Sequence, residues 1–187
     1  MKKGTIILIG VVAVIAVIAM MLGGTYNGLV SKSEEVDSKY SDISVQLERR
    51  ADLIPNLVNT VKGYMAHEEK IINSITEART KLVNASTVEE KATANEELTS
   101  ALNNLFVVVE NYPDLKSSAN FINLQDELAG TENRIATARK DYNDAVKSYN
   151  QSVKRFPKNI LAAMFGFKEK AYFEAKESSK DVPEVSF

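Results

Sequence analysis

His67-Glu68 opens like the zinc-protease signature H-E-x-x-H, in which two imidazoles one turn apart hold the metal and the glutamate activates water. Position 71 is Ile, so the second ligand is missing. The chain has one His and no Cys, and any Ser-His-Asp or Cys-His mechanism would have to rest on His67 as well. A histidine at a boundary between helices accounts for the residue without chemistry, which leaves a hydrolase built on His67 and a carboxylate as the remotest reading. The absence of Cys also excludes disulfides, thiol catalysis and thiolate metal sites. No G-x-x-x-x-G-K-[ST] or G-x-G-x-x-G stretch offers a phosphate cradle. These residues give no cofactor and no catalytic set.

The remaining candidates are charges in apolar places. Stepping alternately four and three residues from Leu29 to Leu82 gives sixteen positions, thirteen of them apolar or aromatic. Two of the exceptions are Arg50 and Glu68. On one continuous helix they would lie about 27 Å apart, so each needs a partner from another helix. Glu127, Glu132, Arg134 and Arg139 flank a later seam and could supply it, giving polar layers that fix register. Together with Arg49 and His67, the same side chains could instead line an inter-helix groove for a small ligand or peptide.

The elements that must position these charges are helices. A seam from Leu29 to Leu82 predicts long helix packed along its length, and Pro55 within it predicts two nearly collinear helices meeting at a kink near Asp52–Pro55. Thr87 and Glu90 have capping-box spacing and open a second helix that Pro113 ends. A third, from about Asp114 to Phe156, repeats every seven residues through Phe121, Leu128, Ile135, Tyr142, Tyr149 and Phe156. A short helix over Lys158–Phe165 with Gly166 as C-cap follows, and carries the aromatics Phe165, Phe167, Tyr172 and Phe173, which could cover an open seam. Asn143 and Asn150 could make amide bonds between helices. The short connections predict antiparallel neighbours.

Ahead of all this, the seventeen residues Ile6 to Leu22 are apolar or Gly, about 26 Å of helix against a hydrocarbon core of about 30 Å. The run is longer than the apolar part of a secretion signal and ends without an A-x-A-like site, which favours an uncleaved anchor. Lys2 and Lys3 precede it and favour the N-terminus inside, with the bundle outside the cytoplasm. The chain of 187 residues carries 23 Lys plus Arg against 25 Asp plus Glu, and residues 25–187 alone have a net charge of −4, which argues against a general nucleic-acid binder. The expected organisation is all-α: a transmembrane anchor over 1–24, an elongated antiparallel up-and-down helical bundle over 25–176, and a flexible tail over 177–187.

Tyr26-Asn27-Gly28-Leu29-Val30, the stretch Gln46 to Val58 with its Arg49-Arg50-Ala51-Asp52-Leu53-Ile54-Pro55, Val61 to Glu68, and Ala78-Arg79 resemble the first half of the LemA family. Glu110 to Lys116, Phe121 to Leu128, Gly130 to Ile135, Ala138-Arg139, Tyr142-Asn143, Tyr149-Asn150, Phe156-Pro157, Gly166-Phe167 and Tyr172-Phe173 resemble the second half, in the family's order. Lys39-Tyr40 stands where the family usually has Ala-Trp, which keeps an aromatic on the seam without the indole N–H. The resemblance implies a bacterial single-pass membrane protein with a helical bundle and brings no catalytic set or cofactor. The expected function is a non-enzymatic scaffold or adaptor. It would meet the lipid bilayer through residues 6–22 and present a helical face to a membrane protease, an envelope component or a second copy of itself; the alternative is the ligand- or peptide-binding groove.

Overall fold

The computed structural model describes residues 3–65 and 67–175; the expected tail over 177–187 lies outside them. Among the described residues the regular structure is helical, with no strand. The order is α1 (Lys3–Lys62), α2 (Glu69–Asn84), α3 (Val88–Val109), α4 (Pro113–Lys116), α5 (Ala119–Lys154) and α6 (Lys158–Phe165). The chain gathers into two compact units, each drawing on parts of α1 and α5.

The larger unit holds residues 39–143 and 171 onward. Its seams are those the heptads describe. Ile43, Leu47, Ile54, Leu57 and Val61 of α1 are buried, as are Ile75, Ala78 and Leu82 of α2, Leu98, Leu102 and Leu105 of α3, and Phe121, Leu128, Ile135 and Tyr142 of α5. Thr87 caps α3 with a complete capping box: its hydroxyl accepts from Glu90 N–H at 3.1 Å, while Glu90 Oε2 accepts from the N–H groups of Ser86 and Thr87. Those backbone donors hold the Glu90 carboxyl below its usual range.

The expected kink at Asp52–Pro55 is not where the chain changes direction. α1 continues through Pro55 to Lys62, and the reversal falls at residues 63–68. Proline costs a helix interior about 3 kcal/mol, partly because the carbonyl four residues earlier loses its donor. That carbonyl belongs to Ala51, which is buried, and Arg79 Nε of α2 donates to it at 2.8 Å. An arginine from the neighbouring helix replaces the N–H that proline lacks. This requires α2 to lie back along α1 rather than extend it. Across the reversal the buried face departs from the 4-3 register by one residue, with Met65 buried where Tyr64 is exposed and Ile72 buried in place of Ile71, and it rejoins the register at Ile75, Ala78 and Leu82. The bundle segment therefore has four main helices, not three.

Two further boundaries differ from expectation. Pro113 does not end α3; it sits at the first position of α4, where its missing N–H costs nothing. α5 stops at Lys154, which leaves Phe156, expected as the last rung of the third seam, 80% exposed. Beyond α6, the segment after Gly166 is tied down by side-chain amides of α5. In the larger unit, Asn143 Oδ1 accepts from Phe173 N–H at 2.8 Å and Tyr142 donates its hydroxyl to the Ala171 carbonyl, seating Phe173 in the core.

The smaller unit comprises residues up to Ser38 with 144–170. Leu29 and Val36 of α1, Val146 and Tyr149 of α5 and Ala162 of α6 are buried there. Asn150 grips Lys170 at both backbone groups, accepting from its N–H at 2.9 Å and donating to its carbonyl at 2.8 Å. The Lys170 ammonium reaches Asp37 at 2.7 Å and the Ser33 carbonyl at 3.0 Å, and lies 5.5 Å from the Tyr149 ring centre. The asparagines thus bind backbone of the returning segment, not other helices. Gly166 closes α6 with φ of 76°, the left-handed conformation that favours glycine.

The Pro55–Arg79 relation predicts non-additivity. Arg79→Ala, which orphans the Ala51 carbonyl, destabilises the bundle by about 1–3 kcal/mol. In a Pro55→Ala background, where residue 55 can donate to that carbonyl again, the same substitution costs clearly less. Urea unfolding followed by circular dichroism, applied to the four proteins of the cycle, measures both; equal costs in the two backgrounds would show that Arg79 does not serve this carbonyl.

Candidate functional site

Arg50 is the most informative charge because it is 3% exposed. α1 presents it on the seam between Leu47 and Ile54, so the guanidinium has to be satisfied from other helices. Asn95 of α3 accepts from Nη1 at 2.6 Å, and Glu132 Oε2 of α5 lies 2.6 Å from the same nitrogen. Burial pushes the guanidinium down from its ordinary value and Glu132 pulls it back up. The layer is not saturated: Arg50 Nε and, one turn earlier, Gln46 Oε1 are buried without a hydrogen-bond partner. Glu132 leaves 42% of its side chain exposed, so one end of the layer reaches the surface.

The other candidates fall around or away from this layer. Arg49 pairs with Glu127 at 3.5 Å, both half exposed, a weak rim contact. Glu68 does not meet Arg134 or Arg139. It sits at the N-cap position of α2, where its carboxylate accepts from the Tyr112 hydroxyl at 3.0 Å. The reason is the reversal at 63–68, which removes Glu68 from the α1 seam and brings it to the loop preceding α4. Arg134 and Arg139 are exposed, and His67 is exposed on the reversal itself. A shallow groove on the larger unit takes in Gln46 and Arg134 with Asn133 and Asp141, and no other member of the expected set. Among the described residues no three His, Asp or Glu side chains gather as a metal site.

Sequence reasoning missed three contributors. Asn95 was visible as a polar interruption of the α3 seam, which is the signal that would have matched it to Arg50. Arg79 carried no signal without the α1–α2 reversal. Tyr112 lay at the end of its seam, and its hydroxyl partner depends on the same reversal. Tyr40, which replaces the expected family Trp, is half-buried 5.8 Å from the Tyr142 ring with the Lys91 ammonium 5.9 Å from its own centre. Burial raises its phenol above the ordinary value.

The first helix is long and apolar enough to cross a membrane, with residues such as Ile7, Val14 and Met21 more than half exposed. Fold and polar layer together define a helical protein with an apolar N-terminal helix and a bundle in which Arg49, Arg50 and Lys81 are ion-paired between helices. The chain belongs to the LemA family, whose model matches residues 39–187. It is similar to the magnetosome protein MamQ 2 of Paramagnetospirillum magneticum, with 31% identity over 97% of this chain and 75% of that protein. MamQ of Magnetospirillum gryphiswaldense is 26% identical over 100% of this chain and 78% of its own length. Protein LemA of Metamycoplasma hominis is 28% identical, covering 82% of this chain and 71% of that protein.

A double-mutant cycle across Arg50 and Glu132 should show coupling of about 1–3 kcal/mol, and the same cycle across Glu68 and Arg139 should show none. Titration of the phenols tests the loop contact. The hydrogen bond to Glu68, more than burial or charge, holds the Tyr112 phenol above its ordinary value of 10.0. Its contribution to stability is whole below that pH and fades as pH climbs through the raised folded value. Glu68→Gln should move one tyrosinate transition at 295 nm to lower pH; an unchanged curve would place Tyr112 elsewhere.

Proposed function

We propose that this protein is a single-pass, membrane-anchored, non-enzymatic scaffold whose bundle presents its outer helical faces to a protein partner. The observation that carries the reading is the disposition of the charges. Arg50 is committed to Asn95 and Glu132, Glu68 to Tyr112 and Arg49 to Glu127, so the side chains best suited to chemistry are spent on holding helices together. The apolar surface of α1 before Gly23 supports the anchor, because so many exposed Ile, Val and Leu side chains are stable only in lipid or against another apolar surface. Lys2 and Lys3 support a cytoplasmic N-terminus with the bundle on the other side. Membrane proteases and envelope components are the partner classes in reach of such a bundle, and a second copy is a third.

A ligand- or peptide-binding groove is kept as a second reading because Gln46 Oε1 is buried without a partner and Gln46 borders the groove that includes Arg134. The two readings separate in a deletion strain. A scaffold carrying both His67→Ala and Arg134→Glu restores the phenotype at normal expression, whereas loss of rescue by the well-folded variant supports the groove. For the anchor, alkaline extraction should leave the full chain in the membrane pellet and release a chain lacking residues 3–24. Protease added to intact spheroplasts should digest the bundle; protection would reverse the assigned orientation.

A further inference from the structure

Within the smaller unit, Tyr26 of α1 stands four residues past Leu22, about 6 Å along the helix from the end of the apolar run. Its ring is held edge-on from both sides of the Gly166 turn, by Phe165 at 5.0 Å and Phe167 at 5.7 Å between centres. α6 is therefore fastened to α1 at the point where the apolar helix ends. Only part of α6 faces protein: Ala162 is buried, but Ile160 is 52% exposed, Met164 72% and Phe165 53%, and Phe156 just before the helix is 80% exposed. Four large apolar side chains are left uncovered on one eight-residue helix and its lead-in.

Cations predominate around this helix: Lys154 pairs with Glu169 at 2.7 Å, and Arg155, Lys158 and Lys168 stand beside that pair. From Ala145 to Lys168 the sequence contains no Asp or Glu, while Lys154, Arg155, Lys158 and Lys168 are all exposed. On α1 the first acidic residue after the apolar run is Glu34, about 18 Å along the helix from Leu22. Exposed apolar side chains and exposed cations thus share the end of the unit nearest the apolar run, and the acidic residues of α1 lie beyond it. A helix with an apolar face and basic flanks is suited to the boundary between headgroups and acyl chains, where anionic lipid meets the cations.

We infer that α6, with Phe156, is a second membrane contact: it lies on the bilayer surface beside the point where α1 emerges, inserts Phe156, Ile160 and Met164 among the acyl chains, and binds anionic phospholipid headgroups through Arg155, Lys158 and Lys168. This rests on the reading of α1 as a membrane anchor and adds that the protein meets the bilayer twice. One contact fixes the position of the chain and the other its tilt. A single span can swivel and tilt freely; a helix docked beside it holds the smaller unit in one pose at the surface.

The chain has no Trp, so each engineered indole is the sole emitter of its kind. Full-length Met164→Trp and Phe156→Trp are reconstituted in vesicles of phosphatidylcholine and phosphatidylglycerol carrying brominated acyl chains. Val14→Trp, inside the apolar run, reports insertion of the anchor, and exposed Glu35→Trp, about 20 Å along α1 from Leu22, reports a site clear of lipid. The expected result is blue-shifted emission and several-fold stronger quenching at 164 and 156 than at 35, shallower than at 14, and stronger as phosphatidylglycerol replaces phosphatidylcholine. Arg155→Glu with Lys158→Glu should remove that dependence on lipid charge. Quenching at 14 with none above the Glu35→Trp level at 164 and 156 would overturn the inference and leave the anchor standing; no quenching at 14 would overturn the anchor itself. A blue shift at 164 that grows with protein concentration and is not quenched by bromine would assign the face to a second copy of the chain and also overturn it.

Discussion

The larger unit depends on one carbonyl. Pro55 deprives the carbonyl of Ala51, a buried residue, of the donor that the helix interior normally supplies. The Arg79 guanidinium fills the vacancy from α2. An arginine can do so only if the chain turns back within the residues between Lys62 and Glu69, and that reversal determines which side chains the remaining helices meet. Proline, so often a helix terminator, is here the residue that specifies a neighbour.

Arg50, one residue before Ala51 in α1, applies a similar constraint in a different direction. A buried cation demands partners, and it takes them from α3 and α5. Consecutive residues of α1 therefore carry the register of the bundle: Ala51 toward α2, Arg50 toward α3 and α5. Replacing such a layer by hydrocarbon often gains stability, so a buried ion pair is not in itself a measure of strength. In the smaller unit the same logic appears in neutral form, with Asn150 pairing both backbone groups of Lys170 and anchoring the segment that follows α6.

Much of this was legible in the heptads. Burial of Ile43, Leu47, Leu98, Leu128 and Ile135 follows directly from their spacing, because a period of 3.5 is a statement about one face of a helix. The capping box at Thr87 and the Gly166 cap were equally local. The reversal at 63–68 was not, because the sequence keeps apolar residues on the register on both sides of it, and periodicity alone cannot tell a straight helix from a hairpin made of two such arms. The errors at Glu68 and Arg79 have that origin. Glu68 was matched with distant arginines, although the turn delivers it to Tyr112, and Arg79, quoted only for the family resemblance, was given no partner because its acceptor is a backbone atom. Of the candidate site, the Arg50–Glu132 and Arg49–Glu127 pairs could be anticipated from seam position and charge. Arg134 and Arg139 could not be set aside, since helical phase leaves several neighbouring charges equally eligible until the partner helix is placed.

The fold-back of α2 onto α1 is the claim on which the bundle rests, and a distance measures it. Asp52 and Val83 border the same groove, and the chain has no native Cys to interfere with labelling. Spin labels at Asp52→Cys and Val83→Cys in the full chain, read by double electron–electron resonance, should give a single short distance of about 20 Å or less, the span of adjacent packed helices with their labels. A distribution centred near 46 Å, the length of one continuous helix between these positions, would contradict the account.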